Sequence, residues 1–246
     1  MEGKTVVMTG VSGGLGARMA RVLHAAGARV GLVARRAEEL ERMAAEMTGC
    51  VALPADLADP QAVDGLWARA EHELGPIDVL VNNAAYIAGG ARAEEETREQ
   101  IARTLDVNLV SAIRLGQCAF AGMKQRGHGC IVNVSSIAAV VGIGRLPQAT
   151  YAASKGGLLA LTREWAAQWS RFGIRVNALV PGFFESEMTA EVLRSEKIDS
   201  WVKSNVFLGR AGVPSDFDGA ILFLTSDASG YVTGQAVVVD GGWTAR

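Results

Sequence analysis

Short apolar runs recur along the chain, each followed by a segment with helical spacing. The runs hold several apolar residues in succession, a pattern typical of strands buried on both faces. After the first run, Leu15, Met19 and Val22 share one side of a helix, at spacings of four and three. The predicted strands are KTVVMTG from residue 4, RVGLVA from 29, CVALP from 50, DVLVN from 78, GCIVNVS from 129, IRVNALV from 174 and QAVVVD from 235. Strands and helices therefore alternate along the chain.

This alternation predicts the α/β fold class. Repeated β–α units form parallel strands joined by right-handed crossovers, so that helices cover both faces of an open sheet. We therefore predict a Rossmann-like, doubly wound, mainly parallel seven-stranded sheet. No Pro/Ser-rich linker divides the sequence, and we expect a single domain over residues 1–246. In such sheets ligands bind beyond the carboxyl ends of the strands, where the strand order reverses.

Composition narrows the classes of function. Hydrophobic residues make up 49% of the chain and the formal charge is −2, as in an ordinary globular protein with a large core. The absence of a Lys/Arg cluster argues against a nucleic-acid partner. No apolar run reaches the roughly 18 residues that would span a bilayer, and no export signal opens the sequence. We expect a cytoplasmic protein without a membrane partner.

The cysteines and histidines predict neither a disulfide framework nor a metal site. Cys50, Cys118 and Cys130 are odd in number and scattered, each in an apolar context. The three histidines share no ligand spacing with cysteines or acidic residues. We therefore expect reduced cysteines and no bound metal.

A glycine-rich turn, TGVSGGLG at 9–16, follows the first predicted strand. Glycines let a pyrophosphate approach the amide groups and the positive dipole of a helix N-terminus. The spacing is G-x-x-x-G-x-G instead of the broader G-x-G-x-x-G fingerprint, and a tight strand-to-helix connection is the alternative interpretation. The candidate cofactor contacts in this turn are Gly10, Ser12, Gly13, Gly14, Leu15 and Gly16.

The second predicted strand ends in VARR, where NAD-binding proteins carry an acidic residue. Arg35 can form charge-assisted bonds to a 2′-phosphate, which a carboxylate would repel. Arg36 is the neighbouring candidate, and solvated arginines at a helix start are the alternative. This pattern favours NADP(H) and leaves NAD(H) open.

Further motifs follow in a regular order. They are DL at 56, NNAA at 82, N at 108 within LDVNL, SS at 135, Y-x-x-x-K from 151 to 155, PG at 181 and VDGG at 239. Together with TGVSGGLG they resemble the compact single-domain branch of the short-chain dehydrogenase/reductase family over essentially the whole chain. A Tyr-x-x-x-Lys pair alone is weak evidence, whereas eight elements in register are specific.

The resemblance implies site residues, a lid and an assembly. The catalytic set would be Asn108, Ser136, Tyr151 and Lys155, with Ser135 as the second candidate for the serine. The implied cofactor contacts beyond the glycine turn and the arginines are Asp56, Leu57, Asn83, Ala84, Tyr151, Lys155, Pro181, Gly182, Phe184 and Ser186. Residues 183–210 would form a mobile substrate lid, and the chain would assemble as a homotetramer.

Apolar residues of the lid predict its chemistry. An apolar wall would be formed by Phe184, Met188, Val192, Leu193, Trp201 and Phe207, together with Ile143 and Leu146 from the segment before Tyr151. Such a wall favours medium-sized apolar ketones or secondary alcohols, and simple packing of the lid on the body is the alternative. Two residues more than is common in the family separate Ser136 from Tyr151, which indicates an insertion beside the substrate.

Tyr151 and Lys155 lie four positions apart and would share one face of a helix. A tyrosine with a pKa near 10 is a poor base at neutral pH, and lowering that pKa by about three units requires roughly 4 kcal/mol. A cation about 4 Å away supplies about this energy at an effective dielectric near 20. We therefore predict that Lys155 stabilises the Tyr151 phenolate, while Ser136 donates to the substrate oxygen.

These residues predict an NADP(H)-dependent oxidoreductase that interconverts a ketone and a secondary alcohol, with Tyr151 as proton donor and acceptor. The expected partner is a small-molecule carbonyl or alcohol substrate. A 3-oxoacyl-carrier-protein reductase and a sugar or polyol dehydrogenase are alternatives within this class. A non-catalytic NADP(H)-sensing or scaffold protein is the alternative from another class.

Overall fold

The computed structural model describes residues 1–89, 91–185 and 194–245. Within these residues seven strands form one sheet in the order β3-β2-β1-β4-β5-β6-β7, with every neighbouring pair parallel. The strands are β1 (Thr5–Thr9), β2 (Arg29–Ala34), β3 (Val51–Pro54), β4 (Val79–Asn82), β5 (Gly129–Val134), β6 (Ile174–Pro181) and β7 (Ala236–Val239). The predicted seven-stranded, doubly wound sheet is confirmed, and only β6 extends beyond its predicted run, by one residue.

Helices follow the strands as the alternation predicts. They are α1 (Gly14–Ala25), α2 (Ala37–Glu46), α3 (Pro60–Leu74), α4 (Arg98–Leu105), α5 (Ser111–Arg126), α6 (Ala149–Trp169), α7 (Glu196–Asn205) and α8 (Asp218–Thr225). A π-helical segment, Asp106–Val110, joins α4 to α5. Among the described residues, no helix combines the length and apolar character that a membrane crossing requires.

Two hydrophobic layers enclose the sheet. On β1, Val6 and Met8 pack into one layer and Val7 into the other, because successive strand residues point to opposite faces. The first layer receives α1, α2 and α8, and the second receives α3, α5 and α6. Strands covered on both faces explain why the sequence shows continuous apolar runs instead of alternation.

The strand order reverses between β1 and β4, and side-chain hydrogen bonds join the ends of these two strands. Thr9 Oγ1 accepts bonds from the backbone N–H groups of Asn83 and Ala84, both at 3.0 Å. In return, Asn83 Nδ2 donates to the carbonyls of Thr9 at 2.8 Å and Gly10 at 3.0 Å. These bonds hold the glycine turn against the loop after β4, where a doubly wound sheet binds its ligand.

Candidate active site

A cleft of about 340 Å³ opens along the carboxyl ends of the strands. Its walls come from the glycine turn, from the segments after β2, β3, β4 and β5, and from the first turn of α6. The residues proposed from the sequence that line it are Gly10, Ser12, Gly13, Gly14, Leu15, Gly16, Arg35, Arg36, Asp56, Leu57, Asn83, Ala84, Tyr151, Lys155 and Pro181. Residues from six separate segments thus meet in one groove.

Two glycines of the turn, Gly10 and Gly16, leave no room for a side chain. A Cβ at Gly16 would lie 2.0 Å from the carbonyl oxygen of Gly10, and one at Gly10 would lie 2.7 Å from the Cα of Ala84. Gly10 also has a φ of +72°, which favours glycine. Helix α1 starts at Gly14 with no acidic residue in its first turn. Amide donors at an uncrowded, positive helix end suit the diphosphate of a dinucleotide.

Two arginines stand at one end of the cleft, after β2. Both side chains are exposed and both line the groove. Arg36 Nε donates to Ser12 Oγ at 3.2 Å, and Arg36 Nη2 donates to the Ser12 carbonyl at 2.7 Å. Arg36 therefore braces the glycine turn. Arg35 lies next to it with a positive charge that suits a 2′-phosphate.

The two serines after β5 have different roles. Ser135 is buried and its Oγ donates to the Lys155 carbonyl at 2.8 Å, which ties the end of β5 to α6. Ser136 is half-buried, its Oγ accepts from the Ala138 N–H at 3.1 Å, and its side chain lies near enough to Tyr151 to lower the pKa of the phenol. Ser135 contributes to the lining of the cleft, but its hydroxyl proton is committed to a carbonyl. The hydrogen bonding therefore favours Ser136 as the serine that works with Tyr151.

Burial controls the ionisation of the Tyr151–Lys155 pair. Lys155 is 1% exposed, and its Nζ donates to the Val134 carbonyl at 2.7 Å. Burial lowers the pKa of Lys155 to about 7. Burial likewise raises the pKa of Tyr151, against a smaller lowering by the Ser136 hydrogen bond. The ammonium lies 5.8 Å from the centroid of the tyrosine ring.

These values correct the prediction that Lys155 by itself makes Tyr151 acidic. Attraction between the two groups can be inferred from their spacing, whereas the desolvation of each charged form depends on the folded structure. Desolvation opposes the charged form of the buried Lys155 and of the half-buried Tyr151, so the phenol and the amine each favour the neutral state. An acidic Tyr151 therefore requires a further contribution from a bound ligand.

Asn108 lies in the π-helical segment and is 1% exposed. Its Oδ1 accepts from the backbone N–H of Tyr86 at 2.6 Å, and its Nδ2 donates to the Tyr86 carbonyl at 2.9 Å and to Ser154 Oγ at 3.0 Å. The side chain thus joins the loop after β4 to α6, one residue before Lys155. π-Helical turns inside α-helices occur frequently at functional sites.

Some residues that line the cleft were not predicted from the sequence. The Arg103 guanidinium lies 5.2 Å above the ring of Tyr86, and its Nη2 lies 3.8 Å from Asp56 Oδ2. The other additional lining residues are Ala34, Ala55, Ala85, Val107 and Val134. Arg103 and Val107 lie four residues apart and shortly before Asn108. This helical spacing places them on the same face of a helix, and it was the sequence signal from which their position in the cleft could have been predicted.

Two predicted cofactor contacts lie outside the cleft lining. Gly182 and Phe184 are not part of the cleft lining, and Ser186 lies outside the described residues. The Phe184 ring packs on Phe217, with ring centroids 4.3 Å apart. It can do so because Gly212 has no side chain: a Cβ there would lie 2.4 Å from the Phe184 ring. The structure therefore places the Phe184 side chain in the core and not beside a cofactor.

The predicted apolar wall of the lid is only partly assembled. Trp201, on α7, packs edge-on against Phe183 and Trp243, with centroids 5.8 and 5.1 Å away. Phe207 is 66% exposed. Met188, Val192 and Leu193 lie outside the described residues. The aromatic side chains of this region pack mainly on one another, which supports lid-to-body packing as the origin of the apolar pattern.

Among the described residues, no three His, Cys, Asp or Glu side chains are arranged to hold a metal ion. Burial raises the pKa values of the Cys50, Cys118 and Cys130 thiols, which disfavours thiolates.

Comparisons with known proteins match the chain over almost its full length. A family described as enoyl-(acyl carrier protein) reductase matches residues 10–244. The chain is 37% identical to a galactitol 2-dehydrogenase (L-tagatose-forming) from Cereibacter sphaeroides, over 99% of this chain and 96% of that protein. It is also 37% identical to a gluconate 5-dehydrogenase from Gluconobacter oxydans, with the same coverage.

One solved structure with a similar fold contains two bound ligands. It is a gluconate 5-dehydrogenase from Burkholderia cenocepacia in complex with NADP and tartrate, 32% identical to this chain. The two structures superpose with a TM-score of 0.93, over 100% of this chain and 97% of that one.

Proposed function

Because this chain belongs to the short-chain dehydrogenase/reductase family, we propose that it is an NADP(H)-dependent oxidoreductase that interconverts a ketone and a secondary alcohol. The placement of Tyr151, beside Ser136 and one helical turn before the buried Lys155, carries the proposal, since it puts a proton donor next to a hydroxyl that can hold the substrate oxygen. Arg35 and Arg36 at the other end of the same cleft support NADP(H).

The proton chemistry follows from the environment of Tyr151. Its phenol is protonated at neutral pH, because burial raises its pKa, and can donate to a substrate carbonyl oxygen. Ser136 holds that oxygen and stabilises the charge that develops on it. NADP(H), when bound, supplies or accepts the hydride. For the reverse reaction Tyr151 must lose its proton, and protonated Lys155 favours that loss by opposing the negative charge.

Lys155 changes protonation state with the charge around it. With a pKa near 7 it is poised between ammonium and amine at neutral pH. An anionic ligand in the cleft raises that pKa, because an opposite charge favours the charged form. The lysine then carries the positive charge that the phenolate needs. This coupling provides the ligand-dependent contribution that the buried pair lacks.

For the substrate we propose a sugar, a polyol or a sugar acid. The similar proteins named as galactitol and gluconate dehydrogenases, and the relative that binds tartrate, support this class. A 3-oxoacyl-carrier-protein substrate is the second candidate, which the acyl-carrier description of the matching family favours. We further propose that the protein works as a homotetramer in the cytoplasm, as the family resemblance implies.

The decisive experiment combines a substrate panel with a Tyr151→Phe variant. Galactitol and gluconate with NADP⁺, and a 3-oxoacyl thioester with NADPH, are followed by nicotinamide absorbance. We expect turnover with at least one polyhydroxylated substrate, a loss of turnover in Tyr151→Phe, and retained NADPH binding. Tight NADPH binding without turnover of any substrate would favour a sensing or scaffold protein instead.

A further inference from the structure

The segment from Glu96 to Asn108 contacts α6 at two places, one before and one after Tyr151. Near its start, the Glu96 carboxylate accepts hydrogen bonds from Thr150, the residue before Tyr151. Near its end, Asn108 Nδ2 donates to Ser154 Oγ at 3.0 Å. One continuous stretch of chain thus holds the first turns of α6 from outside the helix.

Several hydrogen bonds join Glu96 and Thr150. The backbone N–H of Thr150 lies 3.4 and 3.3 Å from the two carboxylate oxygens, and Thr150 Oγ1 donates to Glu96 Oε2 at 2.5 Å. Both residues are half-buried. A carboxylate that receives charge-assisted bonds from a backbone and a side-chain donor fixes the geometry more strongly than one neutral bond.

Helix α6 has no cap from its own sequence. The residue at the capping position is Gln148, whose side chain makes no capping hydrogen bond. Helix starts leave backbone N–H groups without partners, and the negative charge of Glu96 complements the positive end of the α6 dipole. The chain supplies this cap from another element.

Glu96 is itself held in place by its neighbours. The next residue, Thr97, caps α4 by accepting from the Gln100 backbone N–H at 3.3 Å, while the Gln100 side chain accepts from the Thr97 N–H at 2.9 Å. This reciprocal arrangement fixes the start of α4. The position of Glu96 therefore depends on a fixed helix end and not on a free loop.

We propose that Glu96 is a positioning residue for Tyr151: by capping the first turn of α6 through Thr150, it sets the phenol against Ser136. The inference rests on the proposed function, because it assigns Tyr151 the proton transfer. Glu96 itself is not part of the cleft lining. Its effect should appear in kcat, since proton transfer is sensitive to small misplacements of the reacting groups.

The test compares Glu96→Ala with Glu96→Gln and with the control Glu94→Ala, an exposed carboxylate of the same segment. In Glu96→Ala we expect kcat to fall roughly tenfold, while the NADPH Kd changes less than about twofold because the cleft walls do not include Glu96. Glu96→Gln keeps an acceptor oxygen and should retain at least about half of the wild-type kcat. Glu94→Ala should behave as wild type.

Hydrogen exchange of the NADPH complex supplies a second readout. Amides of residues 149–155 should exchange about fivefold faster in Glu96→Ala, the effect expected for loss of a helix cap, and unchanged in Glu94→Ala. If Glu96→Ala does not fold, Thr150→Val removes one of the two donors and should lower kcat about threefold.

The possible failures are distinguishable. Wild-type protein without turnover of any substrate would count against the proposed function, and exchange would then decide whether Glu96 holds α6. A kcat within twofold of wild type in Glu96→Ala, or unchanged exchange at residues 149–155, would overturn the inference. Equal losses in Glu96→Ala and Glu96→Gln would also overturn it, since the amide retains the acceptor.

Discussion

At the residue scale, burial decides what the charged groups of the cleft can do. Arg35 and Arg36 are exposed at the cleft, where their guanidinium groups can attract a phosphate. Lys155 is buried among uncharged groups, and its pKa falls to about 7. The arginines thus provide a permanent positive charge at one end of the cleft. Lys155, at the other end, gains or loses its charge near neutral pH.

Replacement of Arg35 should change the preference between the two dinucleotides. We expect Arg35→Asp to raise the KM for NADP⁺ at least about tenfold, since a lost charge-assisted bond costs roughly 1.5–3 kcal/mol, and to improve the use of NAD⁺. Arg42→Asp, an exposed α2 arginine outside the cleft lining, is the matched control. Steady-state kinetics with both dinucleotides measure the effect, and an unchanged preference would remove Arg35 from the phosphate site.

The lowered pKa of Lys155 predicts a pH-dependent stability of the ligand-free protein. Between pH 7 and the ordinary lysine value of 10.5, the unfolded chain binds a proton that the native state has released. The free energy of unfolding should therefore rise with pH over this window, by up to about 1.4 kcal/mol per pH unit. Above about pH 9 the raised pKa values of the cysteines oppose the trend.

Urea unfolding between pH 7 and 9 can test this prediction, with Lys155→Met as the comparison. The methionine variant lacks the titrating amine and should show a flatter dependence on pH. The same slope in both proteins would mean that another group is responsible.

At the scale of elements, the site depends on tight packing where strands pass into helices. The first turn of α1 touches the glycine turn itself, since a Cβ at Gly16 would meet the Gly10 carbonyl and the Asn83 side chain. On the other side, the π-helical segment carries Asn108 inward to Tyr86 and Ser154. Each functional group is thus placed by an element boundary.

Two glycine-to-alanine changes in helices should therefore have opposite effects. Gly16→Ala forces atoms together at 2.0 Å, and we expect it to destabilise the protein by about 1–3 kcal/mol and to weaken NADPH binding. Gly65→Ala, in α3, meets nothing within 4 Å and should stabilise by up to about 1 kcal/mol. Thermal unfolding and NADPH titration of both variants measure these effects. A Gly16→Ala protein with wild-type NADPH affinity would contradict the close approach.

At the scale of the whole molecule, the cleft joins both halves of the sheet. Its walls run from Asp56 after β3 to Pro181 at the end of β6, across the reversal between β1 and β4. A ligand that fills this groove therefore contacts segments distant in the sequence. Binding should stabilise the native fold as one unit, because the unfolded chain lacks the groove.

NADPH should accordingly raise the Tm of the whole protein. At 100 times its Kd a ligand adds about 2.7 kcal/mol, or roughly 5–10 °C for a domain of this size. We expect a smaller shift with NADH at equal concentration, and a full NADPH shift in Tyr151→Phe. Differential scanning fluorimetry provides the measurement, and equal shifts with both dinucleotides would contradict NADP(H) selectivity.

Much of the fold was predictable because its causes are local. A continuous apolar run such as that of β1 is typical of a buried strand wherever it occurs. The alternation of strands and helices then leaves few topologies. The glycines of the turn were also predictable, since the steric limits they relieve depend on the backbone. Motif order also predicted that Ser136 follows β5 and that Tyr151 and Lys155 share one face of a helix.

What the sequence by itself determined is the fold class, the family and the residues that gather at the strand ends, because apolar periodicity and motif spacing are properties of the chain. Only the tertiary structure decided the ionisation of Lys155 and Tyr151, the serine that faces the phenol, the turn of Phe184 into the core and the cap that Glu96 gives to α6. Each of these depends on desolvation or on contacts between distant segments, and neither exists until the chain is folded.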